Sequence, residues 1–504
     1  AVILRDVGTG DELGISTAAS SVMVQGIVGG RDYSQFEAWL ASEAPKVFFD
    51  SKHQIGLATR AGVRIGGIVG DVLVACWLLR PSTAEKNIAE AAFRYLGEEV
   101  PEGDPNQLVP DEGTVADTAM LAWYTVRTHA AALERFQSRT GEIYNDIEIP
   151  LVPVLAALEH RGVQIDLEQQ AFAAIDREVN LSSPKQLQEV LFEQLDMPKT
   201  RKTKSGYTTD AAALAELQVK KPHPFLDALL SHRDANKLRQ MVETRIKAVQ
   251  DDGRVHTTFV QTGSSTGRLA STDPNLQNIP VRSEEGRRIR EAFNHAPEFE
   301  TLMTADYSQI EMRIMAHLSG DAGLIEAFNQ GEDLHRFVGS RIFGVAPDEV
   351  SNEMRSKVKA MSYGLAYGLS AFGLSKQLGI TGAEAKQLMM DYFERFGGVR
   401  DYLRSVVEQA KRDTYTETIF GRRRPFPDLA SPNRILRENA ERAALNGPIQ
   451  GSAADIIKVA MIGVERRMVE AEMASRMLLQ IHDELMCEVA EGEWDALEAI
   501  VREE

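Results

Sequence analysis

Asp306-Tyr307-Ser308-Gln309-Ile310-Glu311 follows the apolar run Thr301–Ala305. Some 177 residues on from Asp306, His482-Asp483-Glu484 separates two further apolar runs, Met477–Ile481 and Leu485–Val489. The pattern reads as a buried strand ending at a carboxylate, and as two strands joined by a turn that carries another. Strand ends of this kind can bring two acids together. Without a cation, adjacent carboxylates repel and one binds a proton at neutral pH. With two Mg²⁺ ions ~3.5–4 Å apart they become bridging ligands for in-line phosphoryl transfer. Acids at strand ends are commonly turn formers, so either segment alone also has that plainer reading.

Between the two acidic segments Arg355, Lys359, Tyr363 and Tyr367 recur every four residues. Such residues advance by about 400° on a helix and land on nearly one face. Arg355 and Lys359 can reach one polyphosphate, and Tyr363, a turn further on, can stack on a base for ~1–3 kcal/mol. Gly364 and Gly368 would let a second backbone or a template base come close. Other phosphate and metal devices are missing from the sequence: there is no Walker-type glycine-lysine loop, no dinucleotide fingerprint, no H-E-x-x-H and no paired C-x-x-C. The helix is the best remaining triphosphate cradle.

Arg442, Asn446 and Gln450 also recur every four residues. Long donors and amides on one face suit the minor-groove acceptors that all base pairs share. Arg268, in the small-residue loop Thr262–Arg268, can do likewise. Lone histidines such as His160, His317 and His482 have no metal-ligand spacing.

At 504 residues the chain is too long for one core, and three or four substructures are expected. Residues 1–150 hold 21 Asp+Glu against 12 Lys+Arg, half of the net charge of −18. The rest is less acidic and carries basic clusters at Lys199, Arg201, Lys202 and Lys204; at Arg287, Arg288 and Arg290; and at Arg422, Arg423 and Arg424. A phosphate backbone responds to such local potential rather than to whole-chain charge, although each cluster alone also reads as a solvated surface run. The two cysteines, Cys76 and Cys487, suit a reducing cytosol. No apolar run reaches membrane-spanning length. Ala1 is not an initiator methionine and Glu504 falls in a helix-like stretch, so the chain reads as a fragment.

Residues 1–140 read as a mixed α/β unit, with short β-branched runs at Ser21–Val28 and Lys46–Phe49 and an apolar one at Val72–Leu79. A helix is expected over Ile147–His160, then a short strand at Val163–Ile165. Amphipathic helices follow over 166–250, broken by an exposed basic loop at Thr200–Thr209 and ending in a long helix at Leu226–Val249. Arg254–Val260 alternates like a strand. Helix returns over 315–420, with a turn at Gly344–Pro347.

Taken together, these segments closely resemble the family A DNA polymerases, in the form of a bacterial large (Klenow-like) fragment. DYSQIEMRIMAHLSGD (306–321) looks like the first palm motif, RSKVKAMSYGLAYG (355–368) the fingers helix, and QIHDELMCEV (480–489) the second palm motif. TGRLASTDPNLQNIP (266–280) and ERAALNGPIQGSAAD (441–455) extend the likeness over nearly the whole chain. The resemblance implies a multidomain α/β and α+β right hand of palm, fingers and thumb beside a ribonuclease H-like exonuclease fold. The expected division is a vestigial 3′–5′ exonuclease-like domain at 1–140, the approach to the palm and the thumb at 141–250, the first part of the palm at 251–314, fingers at 315–424 and the second part of the palm at 425–504.

The same resemblance implies Mg²⁺-dependent, DNA-templated addition of deoxynucleoside monophosphates to a primer 3′-hydroxyl, in repair and replication, with Mn²⁺ as an alternative ion. Asp306, Asp483 and the Tyr307 carbonyl would bind two metals, with Glu484 and Lys359 assisting catalysis. Arg355, Lys359, His335, Tyr363, Gln309 and Glu311 would bind the nucleotide, Glu311 blocking a ribose 2′-hydroxyl. Arg268, Tyr367, Arg442, Asn446, Gln450 and His482 would contact the primer–template, and Lys202 and Lys204 the duplex at the thumb tip. Tyr363 is similar to the form of the family that accepts dideoxynucleotides readily. A cytoplasmic, nucleoid-associated monomer is implied, its palm continuing past Glu504 and a 5′-nuclease domain normally lying upstream.

The proofreading signature departs from the family pattern. Residues 1–60 contain no Asp-x-Glu, and Ser51-Lys52-His53-Gln54 offers Gln54 where an acid is expected. Asp71 and Asp117 remain, too few for a two-metal site. The exonuclease fold is therefore expected without its activity. Two other readings stay open: an architectural DNA-binding relative, disfavoured by the intact Asp306, Asp483, Arg355 and Lys359, and an RNA-synthesising enzyme, disfavoured by Glu311.

Overall fold

The computed structural model describes residues 2–6, 11–16, 21–26, 34–100, 118–165, 197–200, 202–203, 206–208, 213–214, 217, 221, 248–250, 252–279, 293–330, 334–366 and 368–504. The chain divides into two units, Ala1–His160 with Phe259–Ala270 and Met303–Glu504, and Arg161–Thr258 with Ser271–Leu302.

The first unit begins with a three-stranded antiparallel sheet, Val2–Asp6, Asp11–Ser16 and Ser21–Gly26 in sequence order. Lys46–Phe48 then runs parallel to Ile68–Asp71, joined through the helix Ser51–Arg60. Parallel strands need such a crossover. The apolar run Val72–Leu79 is a helix. Its residues are buried almost all round, and continuous apolarity does not separate a buried strand from a buried helix. The cap decides: Asp71 has extended backbone and its carboxylate accepts from the amides of Leu73 and Val74. The expected helix before Val163 is found as Ile149–Arg161, entered through a wide turn at Tyr144–Glu148.

The C-terminal part of this unit holds a sheet in the order Thr301–Asp306, Glu484–Val489, Arg476–Ile481. Ile481 pairs with Glu484 across a two-residue turn, and His482 takes φ 60°, the left-handed backbone such a turn demands at its first position. Thr301–Asp306 is an edge strand; of its residues only Met303 is buried, so the buried strand expected there is half-exposed instead.

Seven helices from Ile310–Ser319 to Gly397–Asp413 pack around Met312, Val338, Met361, Tyr392 and Phe396. Asp321 ties two of them, capping Ala322–Asn329 through the Gly323 and Leu324 amides while accepting from the Gly398 amide, each at 3.1 Å. The 37-residue helix Arg434–Glu470 follows.

In the second unit Val163–Ile165 pairs antiparallel with both Phe293–Asn294 and Arg254–Val255. The stretch expected as one strand over Arg254–Val260 is two, Arg254–Val255 and Thr258–Val260. The basic break carries a small hairpin, Lys202–Thr203 with Gly206–Tyr207. The helix expected at Leu226–Val249 falls almost wholly outside the described residues.

Candidate active site

The sheet brings the two acidic segments side by side. The Tyr307 amide donates to the Asp483 carbonyl at 3.1 Å, which locks the end of one strand to the hairpin turn of the next. The Asp306 carboxyl is pushed above the ordinary range by burial, then by the charges of Asp483 and Glu484. This is the signature of negative charge gathered without its counter-ion. Hard carboxylate and carbonyl oxygens suit Mg²⁺, which binds through one or two carboxylates and completes its shell with water and phosphate. Among the described residues no three acidic or histidine side chains converge to hold an ion by themselves.

Gln309 takes φ 58° and starts the helix Ile310–Ser319, which points Glu311 inward. Glu311 is buried and accepts from Arg268 Nη2 at 2.6 Å. The Oε1 atom of Gln309 is buried without a hydrogen-bond partner among the described residues. Arg268, His482 and Asp483 line one small cavity of about 30 Å³ with Lys458 and Gln480.

The four-residue pattern at Arg355 does form a helix, Asn352–Ala366. Val358, Met361 and Leu365 bury one face, leaving Arg355 half-buried and Lys359 exposed on another. Lys359 makes no ion pair among the described residues. The side chains of Tyr363 and Lys202, and Tyr367 and Lys204 altogether, lie outside the described residues. His335 is 2% exposed, packed within the helical core rather than presented to solvent. Gly368, at φ 67°, sits where a Cβ would come within 2.9 Å of Leu445 and 3.3 Å of Arg442. The end of the Arg355 helix thus meets the helix carrying Arg442, Asn446 and Gln450. Arg442 is exposed, Asn446 and Gln450 are half-buried, and Asn446 Oδ1 is buried without a hydrogen-bond partner among the described residues.

The basic run 422–424 is corrected. Arg422 is 5% exposed and faces the interior, so it cannot meet a phosphate backbone. Its Nε and Nη2 donate to Asp455 Oδ1 at 2.8 and 2.6 Å, and Nη2 also reaches Glu148. Arg423 pairs with Glu417, and Arg424 lies over Phe426. Lys458 completes this buried group, donating to Glu148 at 2.8 Å. Sequence reasoning missed Glu148, Asp455 and Lys458. Asp455 and Lys458 do share a face of one helix, but only their burial marks them. The cluster Arg287–Arg290 lies outside the described residues.

In the N-terminal region Asp71 is wholly occupied. Its oxygens accept from the Ser51 amide and hydroxyl at 2.6 and 2.5 Å, the Asp50 amide at 3.2 Å and the Leu73 amide at 2.8 Å. Burial pushes its carboxyl up to about 6, opposed by the Ser51 hydroxyl. Gln54 is buried nearby, and Asp117 lies outside the described residues.

An acidic strand end bonded to an acidic hairpin turn, in one unit with a helix that carries Arg355 and Lys359, points to one class. The family model for DNA polymerase family A matches residues 157–504, and the chain belongs to that family. The ribonuclease H-like domain of DNA polymerase I matches residues 12–104. The fold is that of the right-hand polymerases with a ribonuclease H-like N-terminal domain. DNA polymerase I of Mycobacterium tuberculosis (strain ATCC 25618 / H37Rv) is 52% identical over 499 residues, covering 94% of this chain and 55% of the relative. That of Geobacillus stearothermophilus is 39% identical over 497 residues, covering 93% of this chain and 56% of the relative. The chain thus spans about half the length of these curated relatives. The solved POL domain of Pol1 from M. smegmatis, in complex with DNA primer-template and dNTP, is 49% identical with a TM-score of 0.88, covering 98% of this chain and 88% of that one.

Proposed function

We propose that this chain is a DNA-directed DNA polymerase that adds deoxynucleoside monophosphates to a primer 3′-hydroxyl and releases pyrophosphate. The observation that supports the reading is the Tyr307–Asp483 backbone bond, beside which burial and the charges of Asp483 and Glu484 raise the Asp306 carboxyl. Two Mg²⁺ ions held there would activate the hydroxyl and stabilise the leaving oxygens. The chain's own residues do the positioning. Arg355 and Lys359 grip the triphosphate, and Lys359 can supply a proton to the departing pyrophosphate. Tyr363 stacks on the base. Glu311 excludes a 2′-hydroxyl, and Gln309 lies beside it. Glu484 assists the metal ligands. Arg268, Arg442, Asn446, Gln450 and His482 contact the primer terminus and template, Tyr367 marks the template position, and Lys202 and Lys204 hold the duplex. A buried His335 joins the triphosphate site only if the fingers rearrange on closing.

The division into 1–140, 141–250, 251–314, 315–424 and 425–504 belongs to the same reading, as do repair and replication roles, a monomer, and a cytoplasmic, nucleoid-associated setting. Among the described residues no helix is long and apolar enough to cross a membrane. No proofreading is expected: Asp71 spends its oxygens on main-chain amides and the Ser51 hydroxyl, and Gln54 replaces a second acid. Extension of a labelled primer, with Mg²⁺ and with chelator, tests the polymerase reading. Mg²⁺-dependent growth of the primer by template-matched nucleotides is expected; no growth would refute it.

A further inference from the structure

The loop that precedes Arg268 is met by an aromatic from the ribonuclease H-like domain, Trp77. Glu148, Arg422, Asp455 and Lys458 form a buried group of two anions and two cations, each no more than 5% exposed. The Trp77 ring lies over both cations, 5.2 Å from the Arg422 guanidinium carbon and 5.3 Å from Lys458 Nζ. Burial alone would push the Glu148 carboxyl up, but Lys458 and Arg422 reverse this and hold it near 2.

This group touches the loop Gln261–Gly267 at three points. Gln261 Nε2 donates to Glu148 Oε2 at 2.6 Å and to the Glu148 carbonyl at 2.9 Å. The Trp77 indole N–H donates to the Ser264 carbonyl at 3.3 Å. Gly267, at φ 88°, leaves space that a Cβ would close to 2.8 Å from Arg422 Nε. The next residue is Arg268, whose guanidinium meets Glu311. Residues 261 and 264 are thus bonded, and residue 267 closely packed, just before Arg268.

We infer that Trp77, with Glu148 and Arg422, positions Arg268 for the primer terminus, so that the ribonuclease H-like domain serves primer extension through the Ser264 loop rather than through chemistry of its own. A buried ion quartet fits this task. Its members fix one another's geometry, and a loop tied to it has one arrangement instead of several. The inference rests on the polymerase reading above.

The test is a double-mutant cycle in the full chain, read as the single-turnover rate of adding one nucleotide. Trp77→Phe keeps an aromatic ring of smaller size and removes the indole donor. It is expected to slow addition roughly three- to thirtyfold, leave the KM for the incoming nucleotide unchanged, and cause no further slowing in Arg268→Ala. Gln261→Met, which removes a different anchor, should behave alike and serves if Trp77→Phe does not fold. Equal slowing in both backgrounds, or a folded variant that extends at the parent rate, would overturn the inference. A parent chain that extends nothing would overturn the polymerase reading itself.

Discussion

Asp483 and Tyr307 are joined through their backbones, amide to carbonyl at 3.1 Å, so the acidic turn of the hairpin cannot drift from the end of the Asp306 strand. The junction forces carboxylates together before any ion arrives. The elevated Asp306 carboxyl records that cost, with burial as its first cause and the neighbouring acids next.

Metal should therefore change stability as well as activity. An acid whose folded pKa is raised contributes stability fully present below its unfolded pKa, and loses it as pH rises through the folded value. At neutral pH, with chelator, Asp306→Asn should unfold at a higher temperature than the parent. The gap should vanish below about pH 4, where the unfolded carboxyl is also protonated. Mg²⁺ should raise the unfolding temperature of the parent and leave that of Asp306→Asn nearly unmoved. Thermal scans across pH read all three effects, and an equal Mg²⁺ response in both proteins would contradict the site.

Asp71 carries the same sign in a different place. Burial raises its carboxyl to about 6. Its contribution is fully present below about pH 4 and is lost as pH rises through 6. Between those limits the stability difference between parent and Asp71→Asn should move toward the variant by at most ~3 kcal/mol. Denaturant unfolding at pH 4 and pH 7 measures it. With a mismatched primer, neither protein should release the terminal nucleotide.

Glu148→Gln leaves Lys458 and Arg422 buried with only Asp455 to balance them. Breaking a buried pair from one side costs about 3–5 kcal/mol, and the variant should lose stability on that scale in chemical denaturation.

Glu311→Ala removes the side chain proposed to stand against a ribose 2′-hydroxyl. Ribonucleotide incorporation should rise relative to deoxynucleotide by roughly 10–200-fold, the range a single steric contact commands. Competition of the two triphosphates in one extension reaction reads the ratio directly.

Tyr363 should make the parent nearly indifferent to a missing 3′-hydroxyl. Tyr363→Phe is expected to raise discrimination against dideoxynucleotides roughly ten- to a hundredfold, the worth of one hydrogen bond to a charged group. Chain-termination frequency at fixed nucleotide ratios measures this, and unchanged termination would count against the role.

The hairpin and the helix that carry the candidate site were legible because their signals are local. The hairpin around His482 needs only two apolar runs and a short turn, and the Arg355 helix needs only a repeat of four. Val72–Leu79 was not legible as a helix, since apolarity on every side carries no period; a single cap, Asp71, settles it. Arg422 was misread for a related reason. Its neighbours Arg423 and Arg424 make it look like surface, whereas its partners are Glu148 and Asp455, far off in the chain. The burial of His335 was likewise not legible, because it depends on helices whose packing no short motif encodes.

The most direct measurement is the single-turnover extension rate of Asp306→Asn, Asp483→Asn and the double variant at saturating Mg²⁺. If both acids share the same cations, each single change should cost more than ~100-fold, and the double variant should be scarcely slower than either. Multiplying effects, or near-parent extension by either single variant, would contradict a shared metal site.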